Sequence, residues 1–186
     1  MLYHASPVKG IVQLEPRISK HEIPLVYFSR KRENVLVYLS NAVEKYCRDT
    51  GFEWHEKWTK WGPYGFSKDN IQCLSEYYLD ALIDTYKGVS AYIYSVEDNP
   101  AAENFEEIPD SAVMRVPADV CDVEYIPDAY EEILKAEKEG KIIIKRYGEM
   151  SDRFHAWLQE TIPKEYEEGA ADYRHFLKAK FPNILK

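Results

Sequence analysis

The strongest apolar segments of this chain come in short bursts: Leu25-Val26-Tyr27-Phe28 behind Pro24, Val89 to Val96 with Tyr92-Ile93-Tyr94 at its middle, and Ile142-Ile143-Ile144 between two lysines. Runs this short, rich in β-branched and aromatic residues and bounded by Gly, Pro or acidic clusters, are strands. They are not joined by regular strand–helix–strand units, which argues against a doubly wound parallel sheet. The expected class is α+β, with helices segregated around the strands.

Around these bursts the order of elements is legible. Met1 to His4 reads as a first strand, and Gly10 to Leu14 as a short extended piece. Ser29 is suited to cap a helix whose stripe is Val35, Leu36, Leu39, Ala42, Val43 and Tyr46, closed by Gly51. Ser67 is suited to cap a second helix, with Ile71, Leu74, Tyr78, Leu82 and Tyr86 at helical spacing and Gly88 beyond. Glu97 to Asp110 reads as an acidic surface loop, followed by strand candidates at Ser111 to Val116 and Asp119 to Tyr125. A helix should begin at Pro127 and end at Gly140. Lys141 to Lys145 reads as a strand buried on both faces or at a sheet centre. Two helical stretches parted by Pro163 complete the chain, so residues 1–148 are expected to form the main domain and 149–186 a helical extension packed on it.

Composition narrows the function classes. The 186 residues are 45% hydrophobic and include 15 tyrosines, enough for a substantial core. A net charge of -8 argues against a dedicated nucleic-acid binder. Arg30-Lys31-Arg32 is the basic cluster, read as a solvated first helical turn in preference to a phosphate site. Cys47, Cys73 and Cys121 are odd in number and far apart, with no zinc or disulfide spacing. No basic-then-apolar leader and no membrane-length apolar run is present, so a cytoplasmic location is the expectation. Glycine-rich dinucleotide and P-loop signatures, a nucleophile elbow and a zincin helix are all missing; His21-Glu22 and His55-Glu56 lack the second histidine. The segment 52–66, with Phe52, Trp54, Trp58, Trp61, Tyr64 and Phe66, is too aromatic for a solvated loop. It is expected to pack on the core, with a ligand cover or an interaction surface as the alternatives.

The chemistry-bearing pattern is N-terminal. Tyr3-His4-Ala5-Ser6 is followed by Val26-Tyr27-Phe28-Ser29 and then by Val37-Tyr38-Leu39, with the two tyrosines eleven residues apart. This ordered trio resembles the opening blocks of the diphtheria-toxin and poly(ADP-ribose)-polymerase type of ADP-ribosyltransferase. The matched blocks cover about a dozen residues of the first forty. The resemblance implies an ADP-ribosyltransferase-like split sheet with peripheral helices, and NAD as a substrate with no metal. His4, Ala5, Ser6, Tyr27, Ser29 and Tyr38 would line the NAD site. In it His4 would bind the adenosine ribose, the Ala5 backbone would hold the nicotinamide amide, and Tyr27 and Tyr38 would sandwich the ring.

The catalytic set implied is His4, Tyr27 and an acid on a later strand that stabilises charge developing on the sugar. Glu124, in Val123-Glu124-Tyr125-Ile126, is the expected acid. Asp122 competes with it, because residues two apart in a strand share a face. Two positions depart from the family pattern: Ala5 stands where glycine is usual, and Val35 where the polymerase branch carries a serine. The expected activity is mono-ADP-ribosylation of an unknown acceptor, a protein or small molecule in preference to nucleic acid. The alternative is a catalytically silent domain that binds NAD, ADP-ribose or a partner protein.

Overall fold

The computed structural model describes residues 1–18, 23–55, 64–105 and 108–185. The chain is a mixed α and β protein organised on one large antiparallel sheet. Its strands are β1 (Leu2–Ser6), β3 (Arg17–Ile18), β4 (Pro24–Ser29), β7 (Ala91–Val96), β8 (Glu103–Asn104), β9 (Ser111–Met114) and β11 (Asp122–Ile126). They lie in the order β11-β7-β1-β4-β9-β8, with β3 also paired to β4. A two-stranded ladder joins β2 (Gln13–Leu14) to β10 (Ala118–Asp119), and a smaller sheet orders β12 (Ile142–Lys145), β6 (Gln72–Ser75) and β5 (Tyr64–Phe66).

Alternation along the central strands separates two cores. Leu2, Val26, Phe28, Tyr94, Ala112 and Met114 bury on one face. Ala91, Ile93 and Ile126 bury on the other, beneath a 3-10 helix (Arg32–Leu39) and α3 (Ala129–Lys138). A third core is made by helices α1 (Ala42–Thr50), α2 (Ala81–Tyr86), α4 (Asp152–Glu168) and α5 (Ala171–Lys180) around Val43, Leu158, Phe176 and Leu177. The C-terminal helices therefore pack on α1 and α2.

Several elements differ from the sequence expectation, each for a local reason. The helix expected from Ser29 to Gly51 is two: Ser40 is extended, and Asn41 caps α1 by accepting hydrogen bonds from the backbone of Val43 and Glu44. Ser29 spends its hydroxyl elsewhere, accepting from Lys31 N and donating to the Asp110 carbonyl. Gly51 ends α1 in the left-handed region (φ 67), as glycine at that position allows.

The helix expected from Ser67 is absent before Ala81. Ser67 Oγ instead accepts from Asp69 N and Ile71 N in a turn, and Gln72, Cys73 and Leu74 are consecutively buried as the middle strand of the small sheet. Burial on both faces belongs to that strand. β12, an edge strand beside it, alternates, with Ile142 and Ile144 buried and Ile143 exposed. The single strand expected at Asp119 to Tyr125 is split into β10 and β11.

Asp128, not Pro127, starts α3, accepting from Tyr130 N and Glu131 N. Pro163 lies inside α4: burial of Leu158 and Ile162 outweighs the one backbone bond that proline forgoes. The helix break falls at Gly169 and Ala170. No helix among the described residues is long and apolar enough to cross a membrane. Trp58, Trp61, His21 and Glu56, singled out in the sequence, lie outside the described residues.

Candidate functional site

The first and second sequence blocks are neighbours in the sheet. β1 pairs antiparallel with β4 through Tyr3 and Ser29. Beside that pair, His4 Nδ1 lies 2.9 Å from the Tyr27 carbonyl oxygen. A carbonyl only accepts, so the Nδ1–H donates and the neutral ring keeps its lone pair on Nε2. Nε2 has no hydrogen-bond partner among the described residues. Burial of the imidazole lowers its pKa below the ordinary histidine value; the Tyr27 carbonyl opposes this and the Arg17 charge reinforces it.

Strand alternation divides the remaining candidates between the two faces. His4 and Ser6 share the face of Tyr94 and Tyr92, their partners on β7, and the His4 ring meets Phe28 edge-on with centroids 6.1 Å apart. Ser6 Oγ accepts from Val8 N. Ala5 lies opposite Ile93, and Ile93 opposite Glu124, so Ala5 and Glu124 share the other face with Tyr27. The Tyr27 ring stands edge-on to Phe105, with centroids 5.9 Å apart. Tyr38, 36% exposed on the 3-10 helix, meets Tyr64 of β5 with ring centroids 5.6 Å apart, and their hydroxyls are hydrogen-bonded. Val35 is a core residue.

β11 is regular, so Asp122 and Glu124 do face the same way, opposite Ser95 and Ile93. Both Glu124 oxygens are engaged by Arg32, Nε to Oε2 and Nη2 to Oε1, each at 2.7 Å. The same guanidinium reaches Glu132 Oε1 at 2.8 Å. Arg32 thereby holds the Glu124 carboxyl below the ordinary carboxylate value. These side chains, with Lys135, Glu139 and Lys141, line a charged cleft of about 250 Å³ between the 3-10 helix, β11 and α3. Glu124 is three strands from Tyr27, about 14 Å at the usual inter-strand spacing.

The basic tripeptide is neither a solvated turn nor an open phosphate site. Arg30 pairs with Asp98 at 3.0 Å, Lys31 with Asp110 at 2.8 Å, and Arg32 with the two glutamates.

Asp110 is the residue that sequence reasoning missed. It precedes β9, the strand beside β4, and its backbone is left-handed (φ 56). Its carbonyl accepts from Arg30 N at 2.7 Å and from Ser29 Oγ at 3.3 Å. In the sequence it merges into an acidic stretch that reads as a solvated loop; Pro109-Asp110 just before an apolar run was the available signal. Cys47 and Cys73 are buried, Cys121 is exposed, and all three are free. Among the described residues no cluster of three or more His, Cys, Asp or Glu side chains could hold a metal ion. Comparison with protein-family models, with curated proteins and with solved structures finds no match for this chain.

Proposed function

We propose that the protein is an NAD-dependent mono-ADP-ribosyltransferase with an ADP-ribosyltransferase-like fold. The observation that carries this reading is the His4–Tyr27 hydrogen bond. It joins the first two of the ordered blocks that carry the resemblance, and it fixes the His4 tautomer whose Nε2 accepts a hydrogen bond from a ribose hydroxyl. In this scheme Tyr27 and Tyr38 hold the nicotinamide ring, the Ala5 backbone its amide, and Ser6 and Ser29 keep the two strand ends in place. The glycosidic bond breaks with its electron pair leaving on nicotinamide. An acceptor lone pair then attacks the ribose carbon and the acceptor gives up its proton. A negative net charge favours a protein or small-molecule acceptor over nucleic acid.

The acid of the scheme is Glu124, on the face shared by Ala5 and Tyr27; Asp110, one strand from Tyr27, is the second candidate. Nicotinamide release from NAD tests both. Loss of turnover in Glu124→Gln with retention in Asp110→Asn supports Glu124, and the reverse moves the role to Asp110. Calorimetric titration with NAD, with Tyr27→Ala alongside, tests the site itself: saturable binding that the substitution abolishes is expected.

One observation favours a second reading, a domain that binds NAD or ADP-ribose without turning it over. An acid that must stabilise a developing cation needs uncompensated negative charge, and both Glu124 oxygens already face the Arg32 guanidinium. NAD binding that is lost in Tyr27→Ala, unaffected by Glu124→Gln or Asp110→Asn and accompanied by no nicotinamide release would establish this reading over the first.

A further inference from the structure

The two ends of the large sheet are finished differently. At one end β8 is only two residues long and offers little to pair with. At the other, β11 runs for five residues in unbroken register against β7. In an antiparallel pair every second residue turns its N–H and C=O away from its partner, so an end strand keeps a row of them free. Among the described residues the backbone of Asp122 to Ile126 forms no hydrogen bond outside that ladder. Asp122, Val123, Glu124 and Tyr125 are consecutively exposed, which leaves the edge uncovered.

Side chains on the two faces of this edge are of different kinds. Val123 and Tyr125, 45% and 55% exposed, share the face of Tyr94 and Tyr92, and the Tyr125 ring lies against Tyr92 with centroids 5.3 Å apart. Asp122 and Glu124 take the other face. The surrounding stretch, Asp119 to Glu132, holds six acidic residues and no lysine, arginine or histidine. Arg32 and Lys135 serve Glu124 and Glu132, while Asp122 has no ion-pair partner among the described residues. Two copies of a chain with net charge -8 would bring like charges together at such an edge, which disfavours self-pairing. A cationic strand meets charges that attract it and an apolar row on which its alternate side chains can rest.

We propose that the free edge of β11 is a strand-addition site for an extended, basic segment of another protein. The segment pairs its backbone with Asp122 to Ile126, and sets cationic side chains over Asp122 and Glu124 and apolar ones over Val123 and Tyr125. Backbone bonds supply affinity in this mode of recognition, and the alternating side chains select the partner. The acidic stretch thus has two effects at once: it keeps copies of this chain apart and admits a strand of opposite charge. The proposal is independent of the transferase reading and stands or falls without it.

The test is calorimetric titration of the full chain with a short, end-blocked peptide of alternating lysine and valine. Amide hydrogen exchange over Asp122 to Ile126 is followed in the same samples. Saturable binding that slows exchange in β11, and that a matching peptide of glutamate and valine fails to reproduce, is expected. Asp122→Asn removes one exposed charge pair and should weaken the lysine peptide by up to about 5-fold. Two further peptides carry N-methyl groups on every second residue, in one phase or the other, and one of them should lose binding because its ladder bonds are blocked. Retained binding by both, or binding without slower exchange in β11, overturns strand addition; so does failure of the lysine peptide to bind the wild type. A concentration-dependent dimer that protects β11 without any peptide gives the edge to a second copy and overturns the basic partner.

Discussion

The two sides of the central sheet solve the problem of polar residues near a core in opposite ways. On the His4 side a single imidazole is half-buried and neutral, bonded to one backbone carbonyl and packed against Phe28. On the Glu124 side charges gather in a half-open cleft and cancel one another through Arg32. The first arrangement leaves one ring nitrogen available to a ligand. The second consumes both oxygens of its carboxylate. A half-buried imidazole and an exposed, ion-paired carboxylate in one sheet thus differ in what they have left to offer.

The contrast can be broken most severely from the packed side. Phe28 is 4% exposed and forms part of the wall against His4, so Phe28→Ala should cost about 3–5 kcal/mol. Chemical denaturation would register this as a large drop in midpoint; a loss below 1 kcal/mol would mean that the His4 face is not the tightly packed one.

A smaller effect is expected from protonating His4. Its folded pKa lies below the ordinary 6.5, so the unfolded chain takes up the proton first as pH falls. Stability should be unaffected by this group above that value, decline as pH drops through about 6.5, and level off once the folded pKa is passed. Denaturation midpoints between pH 7.5 and pH 5 should fall more steeply for wild type than for His4→Gln. Parallel profiles would deny the burial of the ring.

Smaller still is the contribution of the charged side. Arg32→Ala removes contacts to two carboxylates that are partly solvated, and partly exposed pairs contribute about 0.2–1 kcal/mol each. That loss should shrink in 1 M salt, where the screening length is about 3 Å. A large, salt-independent loss would make Arg32 a core residue in disguise. Lys141→Ala, which breaks a pair with Glu139 at the cleft rim, should shift the midpoint within error.

How far the sequence reached differs by element. The runs at Leu25 to Phe28, Val89 to Val96 and Ser111 to Val116 contain the strands β4, β7 and β9 because each is apolar, short and punctuated, all of which are local properties. Residues 67–80 misled because Ile71, Leu74 and Tyr78 sit at helical spacing while Ser67 closes a turn and Leu74 is buried in a strand between two others. A hydrophobic period reports which residues are buried, and a segment buried on both sides satisfies either period. For the same reason Val35 to Leu39 could be read as part of one long helix, although Ser40 and Asn41 divide it.

Chemistry at the candidate site splits along the same line. That His4 and Tyr27 carry polar and aromatic groups on strands was written in the residues, as was the shared face of Asp122 and Glu124, which follows from alternation alone. That His4 bonds the carbonyl of Tyr27, that Arg32 occupies Glu124, that Tyr64 meets Tyr38 and that Asp110 stands beside the second block all depend on how distant segments are brought together. These contacts join residues 23 to 92 positions apart. Local propensity and alternation act within a few residues and determined the strands and their faces. Pairing across such separations is decided by how three cores close at once, and that information exists only in the folded chain.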